Sequence, residues 1–318
     1  MANYNSSEDI IKDALFRSGE KDDGTSDFNA QAEVFLNKVY RSLINGGGEL
    51  APQLNEKWWW LRAEASIILQ PVIETGTVSV TNNSNSITFS DAPSVSVQGR
   101  FLLIDGFKTP FVISSHVAAE TGATLDTVFT GDTDSAAGYK VMKLDYDLAS
   151  DVKEIIGPMN IYKDVAETNY RVLGMELTEM EWQFPVGRIQ EGPPTRFAPV
   201  DQDTVRFNKY VDELTRVDYN YIKLPADLSN NSANIPLVPK EWRHILADWL
   251  TSYIMLEKSD DRATTVGSVA QSGLLAMAKR NREVWSQITS NYGRILPRQS
   301  DIDRFQEPLR TEGGFILG

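Results

Sequence analysis

The chain has no cysteine and only two histidines, His116 and His244, in 318 residues. The first absence excludes disulfides, thiolate metal sites and cysteine nucleophiles, and composition gives no reason to place the protein in an oxidising compartment. The second leaves few options for a catalytic base. Positive charge is short as well: 31 lysines and arginines stand against 44 aspartates and glutamates, a formal net charge of −13. Affinity for phosphate comes mainly from lysine and arginine, so this balance opposes coating of duplex DNA. The acidic surface reads as solubilising charge, in preference to the alternative of a surface past which DNA slides without sticking. No apolar run approaches the roughly 20 residues that a membrane span requires. The opening MANYNSSEDIIKDAL lacks the basic-then-apolar order of a signal peptide. The expectation is assembly in the cytoplasm, with no membrane partner.

What is present suffices for a core: 41% of residues are hydrophobic and 24% charged. Ser6 or Ser7 opens a helix with Ile10, Ile11, Ala14 and Leu15 on one face and Gly19 as its stop. Asp27 caps a second, whose stripe Phe28, Ala32, Phe35, Leu36, Val39, Tyr40 and Leu43 ends at Gly46, Gly47 and Gly48. From about Glu74 the period changes to alternation, as in TVSV, SITFS, GRFLLIDG, PFVISS and YKVMKLDY. The pattern blurs from Asp147 to Pro199, with a short helix expected around Met175 to Phe184. Thr204 to Tyr210 and Thr215 to Lys223 read as a β-hairpin, with Val217, Tyr219 and Tyr221 on one face. Two long helices follow, one opening near Pro239 and one after Ser259, Asp260 or Asp261.

The predicted fold class is α+β: a helical bundle from the N- and C-terminal helices, an inserted antiparallel β domain (sandwich or small barrel), and an extended C-terminal arm. Its expected segments are 1–73 (helical hairpin and linker), 74–147 (β insertion), 148–238 (mixed), 239–296 (helices packing with 1–60) and 297–318 (arm).

A search for chemistry finds little. The histidines lie far apart with no ligand-spaced partner, and no serine occupies a nucleophile elbow. Asp132 with Asp134 and Asp201 with Asp203 lack the rest of a calcium loop and read as turn residues. The triple glycine has no preceding strand and no following Gly-Lys-Ser/Thr, so it reads as a helix stop. Trp58, Trp59 and Trp60 have only Lys57 and Arg62 as basic neighbours. That is too little for a base-stacking groove, and an aromatic anchor between elements or subunits is expected. Lys279, Arg280 and Arg282, interrupted by Glu283, read as a solvated helix face. The expectation is a non-enzyme without cofactor or metal.

Several phrases carry a resemblance. WWWLRAE follows the N-terminal hairpin, the strand series ends in YKVMKLDYDLASDVKEIIG, and RVDYNYIKLPADLSNNSANIPLVPKEWRHILADWLTSYIMLEKSDDRA leads into the last long helix. In element order and in these phrases the chain resembles the head-to-tail adaptor (connector, neck or head-completion) proteins of tailed bacteriophages. The resemblance implies a virion structural protein at the head-tail interface, forming a ring, commonly of twelve copies, between the portal and the tail or nozzle protein. Genomic double-stranded DNA would pass through the lumen without specific binding. It also implies C-terminal segments reaching into the portal, which here falls on Pro297 to Gly318, with Phe305, Leu309, Phe315, Ile316 and Leu317 as docking residues. Alternatives are a tail tubular or tail-completion protein, and a carbohydrate-binding host-recognition module on the β-rich middle.

Overall fold

Ser6 starts helix α1 (Ser7–Arg17) through a capping box. Its hydroxyl accepts the Asp9 N–H at 3.2 Å, and the Asp9 carboxylate accepts the Ser6 N–H at 3.1 Å. Two orphan backbone donors are thereby satisfied, each worth about 1 kcal/mol. Gly19, at φ +77°, follows the end of α1. Helix α2 (Asp27–Ile44) is followed by Gly46 and Gly47 at φ +82° and +112°. A Cβ on Gly46 would lie 2.6 Å from the Glu56 nitrogen, so the glycine permits a close crossing of two backbone segments. The remaining helices are α3 (Leu177–Gln183), α4 (His244–Glu257) and α5 (Ala263–Tyr292). This computed structural model describes residues 4–20, 27–47, 50–51, 54–162 and 169–292.

The expected helical bundle with one inserted antiparallel β domain is corrected by the strands. The fold is mixed α/β and β-rich: among the described residues, fourteen strands form two seven-stranded sheets beside five helices. In chain order they are β1 (Arg62–Leu69), β2 (Val78–Val80), β3 (Ser86–Phe89), β4 (Phe101–Ile104), β5 (Phe111–His116), β6 (Gly122–Leu125) and β7 (Asp134–Ala137). Then come β8 (Tyr139–Met142), β9 (Asp145–Asp147), β10 (Val152–Tyr162), β11 (Asn169–Gly174), β12 (Arg196–Pro199), β13 (Thr204–Phe207) and β14 (Thr215–Lys223). One sheet runs β1-β14-β10-β11-β12-β13-β9 and the other β7-β2-β3-β6-β5-β4-β8. The first is not wholly antiparallel, because β11 and β12 pair in parallel.

The physical reasons for the correction lie in particular strands. Strand β1, RAEASIIL, has the composition of a helix, yet it pairs over its whole length with β14, from Arg62 with Ile222 to Leu69 with Thr215. Ladder pairing and burial of Ile67 and Leu69 override propensity there. Strand β10 carries Gly157 at φ +70° and an irregular register between Ile156 and Asn160, which breaks its alternation in sequence. The expected hairpin also fails: β13 pairs with β12 and β9, whereas β14 pairs with β1 and β10.

Contacts divide the chain into two units, one taking residues up to Leu61 and from Pro225 onward, the other Arg62–Leu224. In the helical unit α4 touches α1, α2 and α5. Ile245, Leu246, Leu250 and Ile254 of α4 are fully buried with Ile10, Leu36 and Leu274, as befits a helix apolar nearly all round. The two chain ends are tied by polar bonds. The Asn37 amide donates to the Leu228 carbonyl and accepts its N–H, each at 2.7 Å, and the Ser7 N–H reaches the Asn234 carbonyl at 2.8 Å.

In the β-rich unit one core gathers Phe89, Leu102, Ile113, Phe129 and Val141, and a second gathers Tyr146, Met159, Phe207, Val217 and Tyr219. The half-buried Arg206 grips Asp145 bidentately at 2.6 and 2.8 Å, pinning β13 to β9. Among the described residues no helix is long and apolar enough to cross a membrane.

Candidate functional site

The residues singled out by sequence divide sharply in placement. Phe305, Leu309, Phe315, Ile316 and Leu317 lie outside the described residues. Trp58 is fully buried and its indole N–H donates to the Leu43 carbonyl at the end of α2. It stacks on Trp60 with ring centroids 6.1 Å apart. Trp59 is 37% exposed, so of these three it is the side chain that meets solvent most. Its N–H donates to the Asn281 side chain at 2.9 Å.

Asn281, on α5, is the hub of this region and is only 1% exposed. Its amide nitrogen donates to Glu56 at 2.9 Å and to the Lys57 carbonyl at 3.1 Å. Arg282 pairs with Glu56 at 2.6 Å, and the Trp285 indole N–H donates to the Lys57 carbonyl. The segment before Trp58 is thus clamped along α5. Sequence reasoning missed Asn281, although a signal existed: it stands at helical spacing between Ala278 and Trp285 on the stripe begun by Leu274. A lone amide on an apolar stripe marks a site whose hydrogen bonds are supplied from elsewhere.

Beside this clamp lies a cavity of about 380 Å³ lined by Leu54, Leu275, Ala278, Lys279, Arg282, Glu283 and Ser286. Its floor is apolar and Leu275 is 45% exposed. The basic cluster therefore borders a groove instead of forming a plain solvated face. A second apolar feature sits where α1 and α4 end. Phe16 is 81% and Leu256 62% exposed there. Lys258 joins these two helix ends by donating to the Ser18 carbonyl at 2.8 Å and pairing with Glu20 at 2.7 Å. Arg17 meets Asp248 at 2.6 Å and Asp13 at 3.5 Å. Burial lowers the affinity of its guanidinium for the proton, but these carboxylates outweigh it and hold the pKa above the ordinary value.

The other candidates are spent on structure. His116 is buried, its Nδ1 3.2 Å from the Val97 N–H and its Nε2 3.0 Å from the Glu120 carbonyl. His244 Nδ1 faces the Glu241 carbonyl at 2.9 Å. Asp134 accepts the Ala136 N–H and Asp201 the Asp203 N–H, both at 2.9 Å, as turn residues do. Among the described residues no group of three or more His, Cys, Asp or Glu is arranged to hold a metal ion.

No known family model matches the sequence, and no curated protein matches it.

Proposed function

We propose that the chain is a structural protein of the phage neck, a head-to-tail adaptor whose copies close into a ring of twelve below the portal. The observation that supports this reading is the pair of dissimilar apolar features on the helical unit. A closed ring uses heterologous contacts, so every copy must offer two different faces. Phe16 and Leu256 form one candidate face, and the groove floored by Leu54, Leu275 and Ala278 forms the other. Lys279 stands sixteen residues into α5, about 24 Å along its axis from the turn that follows Leu256. Patches this far apart on one helical frame suit successive neighbours better than one shared two-fold contact. The acidic balance, 44 acidic against 31 basic side chains, suits a conduit along which DNA moves without sticking.

The deciding measurement is an averaged image of the virion neck. Twelvefold density touching the portal supports the adaptor; sixfold density below it assigns the chain to the tail instead. Binding by the arm is tested by deleting residues 297–318 and co-sedimenting the shortened chain with purified portal. Undiminished binding would remove Phe305, Leu309, Phe315, Ile316 and Leu317 from the proposal. A second reading, recognition of host carbohydrate, draws on Trp182, which is 82% exposed on α3 and offers an open ring face. Loss of glycan binding on Trp182→Ala, with twelvefold density absent from the neck, would favour it.

A further inference from the structure

The last residue of β5, His116, is only 5% exposed and spends both ring nitrogens on backbone groups. The Val97 N–H lies 3.2 Å from Nδ1, and Nε2 lies 3.0 Å from the Glu120 carbonyl. A backbone N–H can only donate and a carbonyl can only accept. Nδ1 must therefore offer a lone pair and Nε2 must carry the proton, so the two partners assign the neutral Nε2–H tautomer. The ring stands at 83° to that of Phe89 with centroids 6.0 Å apart, which seats it on the core that also holds Val97.

The imidazole joins two segments: residues 90–98, which follow β3, and residues 117–121, which lead to β6. Two further bonds lie beside it. The Ser96 hydroxyl donates to the His116 carbonyl at 3.0 Å, and the Ala119 N–H donates to the Pro93 carbonyl at 2.8 Å. The second segment is a turn closed by the Glu120 N–H on the Val117 carbonyl at 3.2 Å. Ala119 occupies its third position at φ +64°, where glycine is the ordinary occupant. The turn is thus kept in a strained shape by its bonds to Pro93 and to His116. Val95 and Val117, both exposed, stand one on each segment.

A proton added to this ring goes to Nδ1, where it sets a second donor against the Val97 N–H. That bond is lost, whereas the bond from Nε2 to Glu120 survives. The new charge is also enclosed. The charged or titratable side chains on the segments around the ring are Asp91, Arg100, Glu120, Asp126 and, beyond Phe89, Tyr139. Among the described residues none of these side chains bonds to the imidazole. We propose that His116 is an acid-released latch: protonation of Nδ1 frees Val97 and loosens residues 90–97 from the turn at 117–121, opening this end of the β-rich unit. The ring stays with the turn, because Glu120 still accepts from it, and the opposite segment lets go. The closed latch has no place for the extra proton, so it is intact above the ordinary imidazole range at about 6.5 and weakens as pH falls through it.

The test uses the full chain and amide hydrogen exchange at about pH 7.5 and about pH 5, each rate taken relative to an unstructured peptide at the same pH. Protection of the Val97 amide is expected to fall about tenfold between the two, while protection in β14 holds. His116→Gln keeps an acceptor and a donor but takes up no proton, so its Val97 protection is expected to be equal at both values. Nitrogen NMR of the wild-type imidazole is expected to show the Nε2–H tautomer at the higher pH. That spectrum, with the confinement of the fall to Val97 and its neighbours, decides the matter should His116→Gln fail to fold. Val97 protection that is equal at both values in the wild type overturns the proposal. So does a fall shared equally by β14, a fall that persists in full in His116→Gln, or a ring protonated on Nδ1 at the higher pH.

Discussion

The helical and β-rich units hold themselves together by different means. The helical unit is made from two stretches of chain separated by the whole of Arg62–Leu224. Besides the apolar packing of α4 against α1 and α2, a few polar side chains join those stretches: Asn37 to Leu228, Arg243 to the Tyr4 carbonyl at 3.0 Å, and Asn281 to Glu56 and Lys57. The β-rich unit is one continuous stretch whose closure is spread over ladders such as β1 with β14 and β10 with β14. A ladder distributes its stabilisation over many backbone bonds, whereas a side-chain hub concentrates it. Single substitutions should therefore damage the helical unit more, and the β-rich unit should respond to conditions that act on its buried ionisable groups.

The largest expected break is Trp58→Ala, which empties a fully buried site and removes the indole bond to Leu43. It should cost about 3–5 kcal/mol. Urea unfolding followed by far- and near-ultraviolet circular dichroism should then resolve an early loss of helix from a later loss of strand; one unchanged cooperative transition would refute concentrated stabilisation. Next comes Asn281→Ala, which strands the Trp59 N–H and one Glu56 contact and should cost about 1–3 kcal/mol. Amide exchange at Trp59 should quicken while exchange in β14 stays as it was.

The comparison is sharpened from the other side by alkali. Burial, opposed by the Gln70 N–H and Arg100, holds the Tyr146 pKa up to about 12. Burial together with Asp151 does the same for Tyr221, also to about 12. A raised tyrosine pKa favours the protonated folded state, so its contribution is intact below about 10 and is lost as pH rises from there to about 12. Strand signal should fall in that window, and Tyr146→Phe should flatten the decline. The smallest effect belongs to Asp260→Asn. Hydrogen bonds from the Arg262 side chain and backbone hold the Asp260 pKa down to about 2. What this contributes is present above the ordinary carboxylate range and disappears as pH falls towards 2. Its partner Arg262 is largely exposed, which keeps the contribution slight, and acid titration of the helix signal should show only a small difference between variant and wild type.

Much of the helical unit was legible because its signals are local. Ser6 with Asp9, Gly19, and Asp260 before α5 act within a turn of where they stand. The apolar stripe Ile10, Ile11, Ala14 and Leu15 is buried as its spacing predicts. Strand count and pairing were not legible in the same way. β1 lies in the stretch expected to be linker and takes its place only by pairing with β14, and β13 and β14, neighbours in the chain, enter the sheet apart. Nor could spacing reveal the groove beside Lys279, since Leu54 reaches it from outside α5.

By itself, then, the sequence determined the capped start of α1, the acidic balance and the exclusion of thiol chemistry, all properties of residue type or of neighbours within a few positions, whereas the helix expected to open near Pro239 begins at His244. Only the tertiary structure decided that, among the described residues, fourteen strands form two sheets, and that Asn281 carries the clamp. The physical reason is range: a cap or a stripe is settled over one or two turns, whereas a strand's partner is settled by which distant segment closes a loop onto it.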